Sequence, residues 1–271
     1  MRSHRQSVGK EAPAYADNED AWRAADEAGI WAVADGAGGT GIYAGEWAQH
    51  LVQQVPAVPF SGLTDMANWL DGHWEDFFNV HQAQAETDYF IEHKFMNEGS
   101  CATLTTLHYR ADELHWTVYG DAVALYFHPI TDKLGAANPD LRQFESAPYL
   151  INWLAPPSPP GFRSGIWPHQ PGQQYALLSD TLGQYLLMAY ASLHGDAESL
   201  RMLAQQPTAL GNRAQAHLGY WSDKGGRFGE SVWNPFRMAL ASPETFLPYT
   251  QQLRAQNLLG ADDYTCILIE D

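Results

Sequence analysis

Short apolar runs and helical stripes alternate in blocks along the chain. Residues 29–34 (GIWAVA) form a nearly continuous apolar run, which predicts a buried strand ending at Asp35. Four glycines fall in the next six residues, 36–41, and predict a turn. Residues 44–55 carry Trp47, Ala48, Leu51, Val52 and Val55 at helical spacing, one apolar stripe. A second helical stretch is expected over residues 64–92, with Met66, Leu70, Trp74, Phe77 and Phe78 among its apolar positions. Strand patterns follow at 101–109, 113–119 and 123–127, and Gly120-Asp121 reads as a tight hairpin turn between the last two. Residues 175–178 form another short strand, ending at Ser179-Asp180, and 182–193 reads as a helix. The last strand is expected at 264–270, directly after Asp262-Asp263. Four prolines in the five positions 156–160 exclude a helix or a central strand and predict a rigid surface loop.

Composition narrows the function classes. The chain has 271 residues, 45% apolar and 17% charged, an ordinary globular balance with enough length for a sizeable core. The formal net charge of −17 argues against nonspecific nucleic-acid binding, which depends on Lys and Arg, and leaves room for a carboxylate-rich metal site. No apolar run is long enough to span a membrane, and no apolar stretch follows the basic start at Met1 to Ser7, so neither an anchor nor a signal peptide is expected. Cys101 and Cys266 lie in strand-like segments, as free buried thiols of a cytoplasmic protein would. The 11 histidines are scattered, without HExxH or a Cys-x-x-Cys pair, so no zinc site is expected. Trp31, Trp47 and Trp116 sit inside elements and read as core. Trp221 and Trp233, flanked by Gly225-Gly226 and Asn234-Pro235, read as loop-borne and as the tryptophans placed to touch a partner.

Acids recur at the ends of predicted strands. Asp35 and Asp180 each follow one, Asp121 sits in a turn, Asp262 and Asp263 precede the last, and Asn18-Glu19-Asp20 precedes the first clear strand. Adjacent strands lie about 5 Å apart, so acids at neighbouring strand ends can converge. Converging carboxylates repel and raise one another's pKa, a penalty that a divalent cation removes. Oxygen-only ligands favour Mg²⁺ or Mn²⁺ over zinc. Each aspartate taken alone is better read as a turn former, so the case rests on the acids together.

The residues around these acids resemble the metal-dependent serine/threonine protein phosphatases of the 2C type. The segment Val33-Ala34-Asp35-Gly36-Ala37-Gly38-Gly39, continued by Gly45-Glu46-Trp47-Ala48, carries the clearest likeness. Asn18-Glu19-Asp20-Ala21, Gly99-Ser100-Cys101-Ala102-Thr103-Leu104, Val118-Tyr119-Gly120-Asp121-Ala122, Leu177-Leu178-Ser179-Asp180-Thr181-Leu182 and Asp262-Asp263-Tyr264-Thr265 follow the family's other blocks in order. The resemblance implies an α+β fold, an αββα sandwich of two antiparallel sheets packed face to face and flanked by helices. It implies a single phosphatase-like domain over residues 1–271, with a variable flap at about 205–250. It also implies two Mn²⁺ or Mg²⁺ ions. Asp35 would bridge both and the Gly36 carbonyl would bind one. Asp180 and Asp262 would complete the other, and Glu19 and Asp20 would contribute directly or through water. Asp121 would help hold a third, weaker ion beside Asp180. The nucleophile is then a water bridging the two ions, held by Asp35, Asp180 and Asp262, and the substrate a phosphoserine or phosphothreonine protein of a serine/threonine kinase. A monomer that binds neither nucleic acid nor membrane is expected.

Four departures stand out. Residues 12–17 hold no arginine, where many family members carry one that grips the phosphate; Lys10 and Arg5 are the nearest basic residues. Ala37 stands where some members have a histidine, which leaves no general acid identified. Thr181 replaces the usual glycine, and Asp263 the usual asparagine, so the sequence does not distinguish Asp262 from Asp263 as the ligand. Residues 205–250 match no block. These departures keep two other readings open, a catalytically weak regulatory or binding module on the same scaffold, and hydrolysis of a small phosphoester.

Overall fold

Strands form where β-branched, aromatic and other apolar residues run without a break, because such side chains fit a pleated, buried surface. The computed structural model describes residues 1–15, 17–194 and 197–271. In chain order the strands are β1 (Arg2–Val8), β2 (Ala21–Ala25), β3 (Ile30–Ala34), β4 (Cys101–Ala102), β5 (Leu104–Arg110), β6 (Glu113–Tyr119), β7 (Val123–His128), β8 (Lys133–Ala136), β9 (Ile151–Asn152), β10 (Phe162–Pro168), β11 (Gln174–Leu178) and β12 (Tyr264–Glu270). The helices are α1 (Ala44–Gln54), α2 (Leu63–Asp71), α3 (Trp74–Ala85), α4 (Tyr89–Glu98), α5 (Asp180–His194), α6 (Glu198–Leu203), α7 (Ala209–Lys224), α8 (Asn234–Ala239) and α9 (Pro243–Ala255). The chain is α+β, with two antiparallel sheets flanked by helices. It divides into two units, each drawn from separated segments. One comprises Met1–Asn18, Val123–Ala147 and Gln170–Asp271; the other comprises Glu19–Ala122 and Pro148–His169.

The first unit holds the sheet β1-β12-β11-β7-β8. Every residue of β12 is buried, as its unbroken apolar run requires. Its register on β11 runs from Tyr175 opposite Ile269 to Leu178 opposite Cys266, which sets the end of β11 beside the start of β12. Helix α5 is buried continuously over residues 181–189, and so is apolar nearly all round. Residues 205–250 are mainly helical and bury Trp221, Phe228, Val232, Trp233, Phe236 and Phe246 in this unit's core. The expectation of loop-borne tryptophans therefore fails. Gly225, in the left-handed region at φ 59°, ends α7 after Trp221, and Pro235 opens α8 after Trp233. Both signals punctuate helices here, a glycine past the end and a proline in the first turn.

The second unit holds the sheet β10-β6-β5-β3-β2 and a two-stranded β4-β9 ribbon. All of β3 is buried, and Trp47, Ala48, Leu51 and Val52 of α1 join its core. The single helical stretch expected over 64–92 is three helices. The chain breaks at Gly72-His73 and again before Asp88, whose side chain accepts the N–H groups of Phe90 and Ile91 and caps α4. An apolar stripe does not register so short a break, whereas an N-cap aspartate does. The expected hairpin at Gly120-Asp121 is also corrected. Strand β6 pairs with β5 and β10, while β7 pairs with β11 and β8, so the two strands belong to different sheets. Gly120 has φ +100°, and a side chain there would meet Thr103 and the Tyr149 carbonyl. Cys101 and Cys266 are free and buried. Among the described residues no helix is long and apolar enough to cross a membrane.

Candidate active site

In the second unit, β3 carries Asp35 just past its end. Thr103, the residue between β4 and β5, fixes it by both backbone groups. The Thr103 N–H donates to the Asp35 carbonyl at 2.9 Å, and the Asp35 N–H donates to Thr103 Oγ1 at 3.1 Å. Gly36 then bridges Ala102. A Cβ at Gly36 would lie 2.4 Å from the Glu19 carbonyl oxygen and 2.8 Å from that of Ala44, so only glycine fits. The Glu19 carboxylate fills the space that a side chain on Gly38 would take. Both carboxylate oxygens of Asp20 are shielded from solvent, and Asp121 is buried directly after Gly120. The Glu19 carboxylate thus lies in the glycine turn that follows Asp35.

In the first unit the acids lie at the ends of β11 and β12. Buried Ser179 ties these ends together. Its N–H donates to the Thr265 carbonyl at 2.9 Å, its Oγ accepts the Thr265 N–H at 3.1 Å, and its hydroxyl donates to the Asp263 carbonyl at 3.3 Å. Asp180 follows, and Asp262 stands across from it. Burial, and then the charge of Asp262, hold the Asp180 carboxyl above the usual carboxylate range. Asp180 Oδ1 accepts the backbone N–H of Thr181 and, at 2.9 Å, its hydroxyl; Oδ2 accepts Gln184 Nε2 at 3.0 Å. Thr181 thus supplies two donors to the acid before it. Asp263 faces elsewhere: its Oδ1 accepts the Lys10 backbone N–H at 2.8 Å. Asp262 is therefore the acid on the Asp180 side.

Two residues that the sequence reading did not single out belong to this cluster. Gln184, one turn along α5 from Asp180, accepts Arg213 Nη2 at 3.0 Å through Oε1 while its amide donates to Asp180. The spacing of four on one helix could have flagged Gln184. Arg213, on α7, lies in the segment that matches no family block, and nothing local marks it. Thr103 lies inside a segment singled out for its likeness, but its grip on Asp35 is visible only in three dimensions.

The residues fit a hard divalent cation by their chemistry. The donors are carboxylate and carbonyl oxygens, and two acids repel at the ends of neighbouring strands, as a cation would relieve. Among the described residues no three His, Cys, Asp or Glu side chains gather closely enough to hold an ion by themselves.

No family model matches the sequence, and no curated protein matches it. Solved structures do share the fold. PppA of Pseudomonas aeruginosa, described as a key regulatory component of T6SS, is 20% identical with a TM-score of 0.50, covering 99% of this chain and 96% of that one. The serine/threonine phosphatase PstP/Ppp of Mycobacterium tuberculosis is 17% identical with a TM-score of 0.50, covering 100% and 99%. A bacterial serine phosphatase with one arginine replaced by glutamate is 15% identical with a TM-score of 0.50, covering 99% and 97%. The chain has the fold of these phosphatases, as the resemblance implied.

Proposed function

We propose that this protein hydrolyses phosphoserine and phosphothreonine in proteins with the help of divalent metal ions. The observation that carries the reading is the pair of like-charged acids, Asp180 and Asp262, held at adjoining strand ends by Ser179 on a fold shared with serine/threonine phosphatases. Asp35 and the Gly36 carbonyl, with Asp180 and Asp262, are the ligands in this reading. Glu19, Asp20 and Asp121 support them directly or through water. Bound there, Mn²⁺ or Mg²⁺ supplies a water acidic enough to attack at neutral pH and positive charge for the phosphoryl oxygens. The chain's own part is orientation: Thr103 fixes Asp35, and Thr181 and Gln184 fix Asp180. We take the two units as one functional domain, since neither is continuous in sequence, and the protein as a cytoplasmic monomer.

Phosphate release from a phosphothreonine peptide tests the proposal. Release is expected with Mn²⁺ or Mg²⁺, and is expected to stop with chelator and in Asp35→Asn. No release above the Asp35→Asn control, from phosphopeptides or aryl phosphates, would sink it. Higher kcat/KM on small phosphoesters than on phosphopeptides would move the substrate class to metabolites.

A second reading, a weakly active regulatory module, is favoured by one observation. Asp180 already accepts bonds from Thr181 and Gln184, so the acid cluster is held without an ion. PppA, with the same fold, is itself described as regulatory. Absence of any Mn²⁺ or Mg²⁺ binding would select this reading.

A further inference from the structure

Arg213 is a guanidinium in an unusual place. It is half-buried, and the charges of Asp180 and Asp262 both act on it. Yet among the described residues it forms no ion pair, and its one hydrogen bond runs from Nη2 to Gln184 Oε1 at 3.0 Å. Its Nε is shielded from solvent and has no hydrogen-bond partner. Nη1 packs against Gly260, where a Cβ would come within 3.2 Å of it. Burying guanidinium N–H groups without acceptors is costly, and an incoming anion would remove the cost. Gln184 sets the direction of the fork. Its amide is oriented by donating to Asp180 Oδ2, so its carbonyl is the end that faces Arg213. The guanidinium is thereby fixed relative to Asp180 with two donor groups unused.

We propose that Arg213 binds the phosphoryl group of the substrate, with Gln184 as its positioning residue. The proposal rests on the phosphatase reading above and deepens it. Arginine suits the task because its planar fork offers paired N–H donors that match two phosphate oxygens. It also answers the absence of arginine in residues 12–17, of which Ala16 lies outside the described residues. The cation comes instead from α7, within the 205–250 segment expected to border the site.

Inorganic phosphate, the reaction product, is the probe. Its binding to Mn²⁺-loaded protein is measured by calorimetry for wild type, Arg213→Ala and Arg213→Lys, with thermal unfolding and Mn²⁺ affinity measured on the same samples. Arg213→Ala is expected to weaken phosphate binding at least tenfold and to raise KM for phosphopeptide more than it lowers kcat. Arg213→Lys is expected to recover part of both. Two outcomes overturn the proposal: no phosphate binding by wild type, or phosphate affinity unchanged in Arg213→Ala, with or without tighter Mn²⁺ binding by that variant. Tighter Mn²⁺ binding in that case makes Arg213 a built-in counter-ion for Asp180 and Asp262. The two readings fail separately. Phosphate binding that needs Arg213, without turnover, removes the phosphatase and keeps the site. Turnover with wild-type KM in Arg213→Ala keeps the phosphatase and removes the site.

Discussion

His217 sits four residues after Arg213 on α7, so its protonation bears directly on the helix that carries the arginine. It is fully buried and both ring nitrogens are engaged. An indole N–H can only donate and a carbonyl can only accept. Nδ1 therefore accepts Trp221 Nε1–H at 3.2 Å, and Nε2–H donates to the Leu258 carbonyl at 2.8 Å. A proton on Nδ1 would set N–H against N–H. Burial, helped by the nearby charge of Arg213, lowers the His217 pKa from 6.5 to about 4. The folded value lies below the unfolded one, so the contribution is complete above pH 6.5 and is lost as pH falls toward 4. At about 1.4 kcal/mol per pH unit the full loss is about 3 kcal/mol, of which about 2 kcal/mol is gone by pH 5. His108, held near 4 by burial in the other unit, adds a loss of the same sign, while Asp180, whose carboxyl is raised, works the opposite way. Both are present in a His217→Gln variant and cancel in the comparison. Urea unfolding at pH 7 and pH 5 with chelator is the assay. The variant is expected to be less stable at pH 7, since Trp221 loses its acceptor, but to fall about 2 kcal/mol less than wild type between the two pH values. Equal falls would refute the reasoning.

Three substitutions test the frame around the acids. Gly36→Ala forces a Cβ against the Glu19 and Ala44 carbonyls and is expected to cost about 1–3 kcal/mol in urea unfolding, with loss of phosphate release. Thr103→Val removes the acceptor of the Asp35 N–H; a cost of about 1–3 kcal/mol is expected, with weaker Mn²⁺ binding, and Thr103→Ser is expected to restore both. Trp233→Ala, in the core of the first unit, is expected to cost about 3–5 kcal/mol while leaving the Mn²⁺ stoichiometry of the protein that stays folded unchanged.

Elements whose period is carried by long apolar runs were legible in the sequence. Strand β12 falls at the expected residues, and β3 and α1 within one residue of their expected ends. Strands β1 and β10 went unread because their residues alternate between part-buried and exposed, with arginine, serine and histidine among them. The breaks inside 64–92 and the passage at Gly120 went unread for a different reason. A break shorter than a helical turn leaves the stripe intact, and a turn motif does not say whether the next strand returns to the same sheet. The placement of Asp35, Asp180 and Asp262 beside strand ends was legible because each adjoins an apolar run. Their choice was not, since Asp262 and Asp263 differ only in direction, and the Lys10 N–H that takes Asp263 is far away in sequence. Arg213 was invisible for the same reason, being brought to Asp180 by the packing of α7 on α5.

The most direct measurement is a calorimetric titration of Mn²⁺ into metal-free wild type and Asp35→Asn. The wild type is expected to bind two ions saturably, and Asp35→Asn, folded by circular dichroism, to lose that binding. Asp35→Asn taking up Mn²⁺ with wild-type stoichiometry and affinity would remove Asp35 from the metal site and contradict the function built on it.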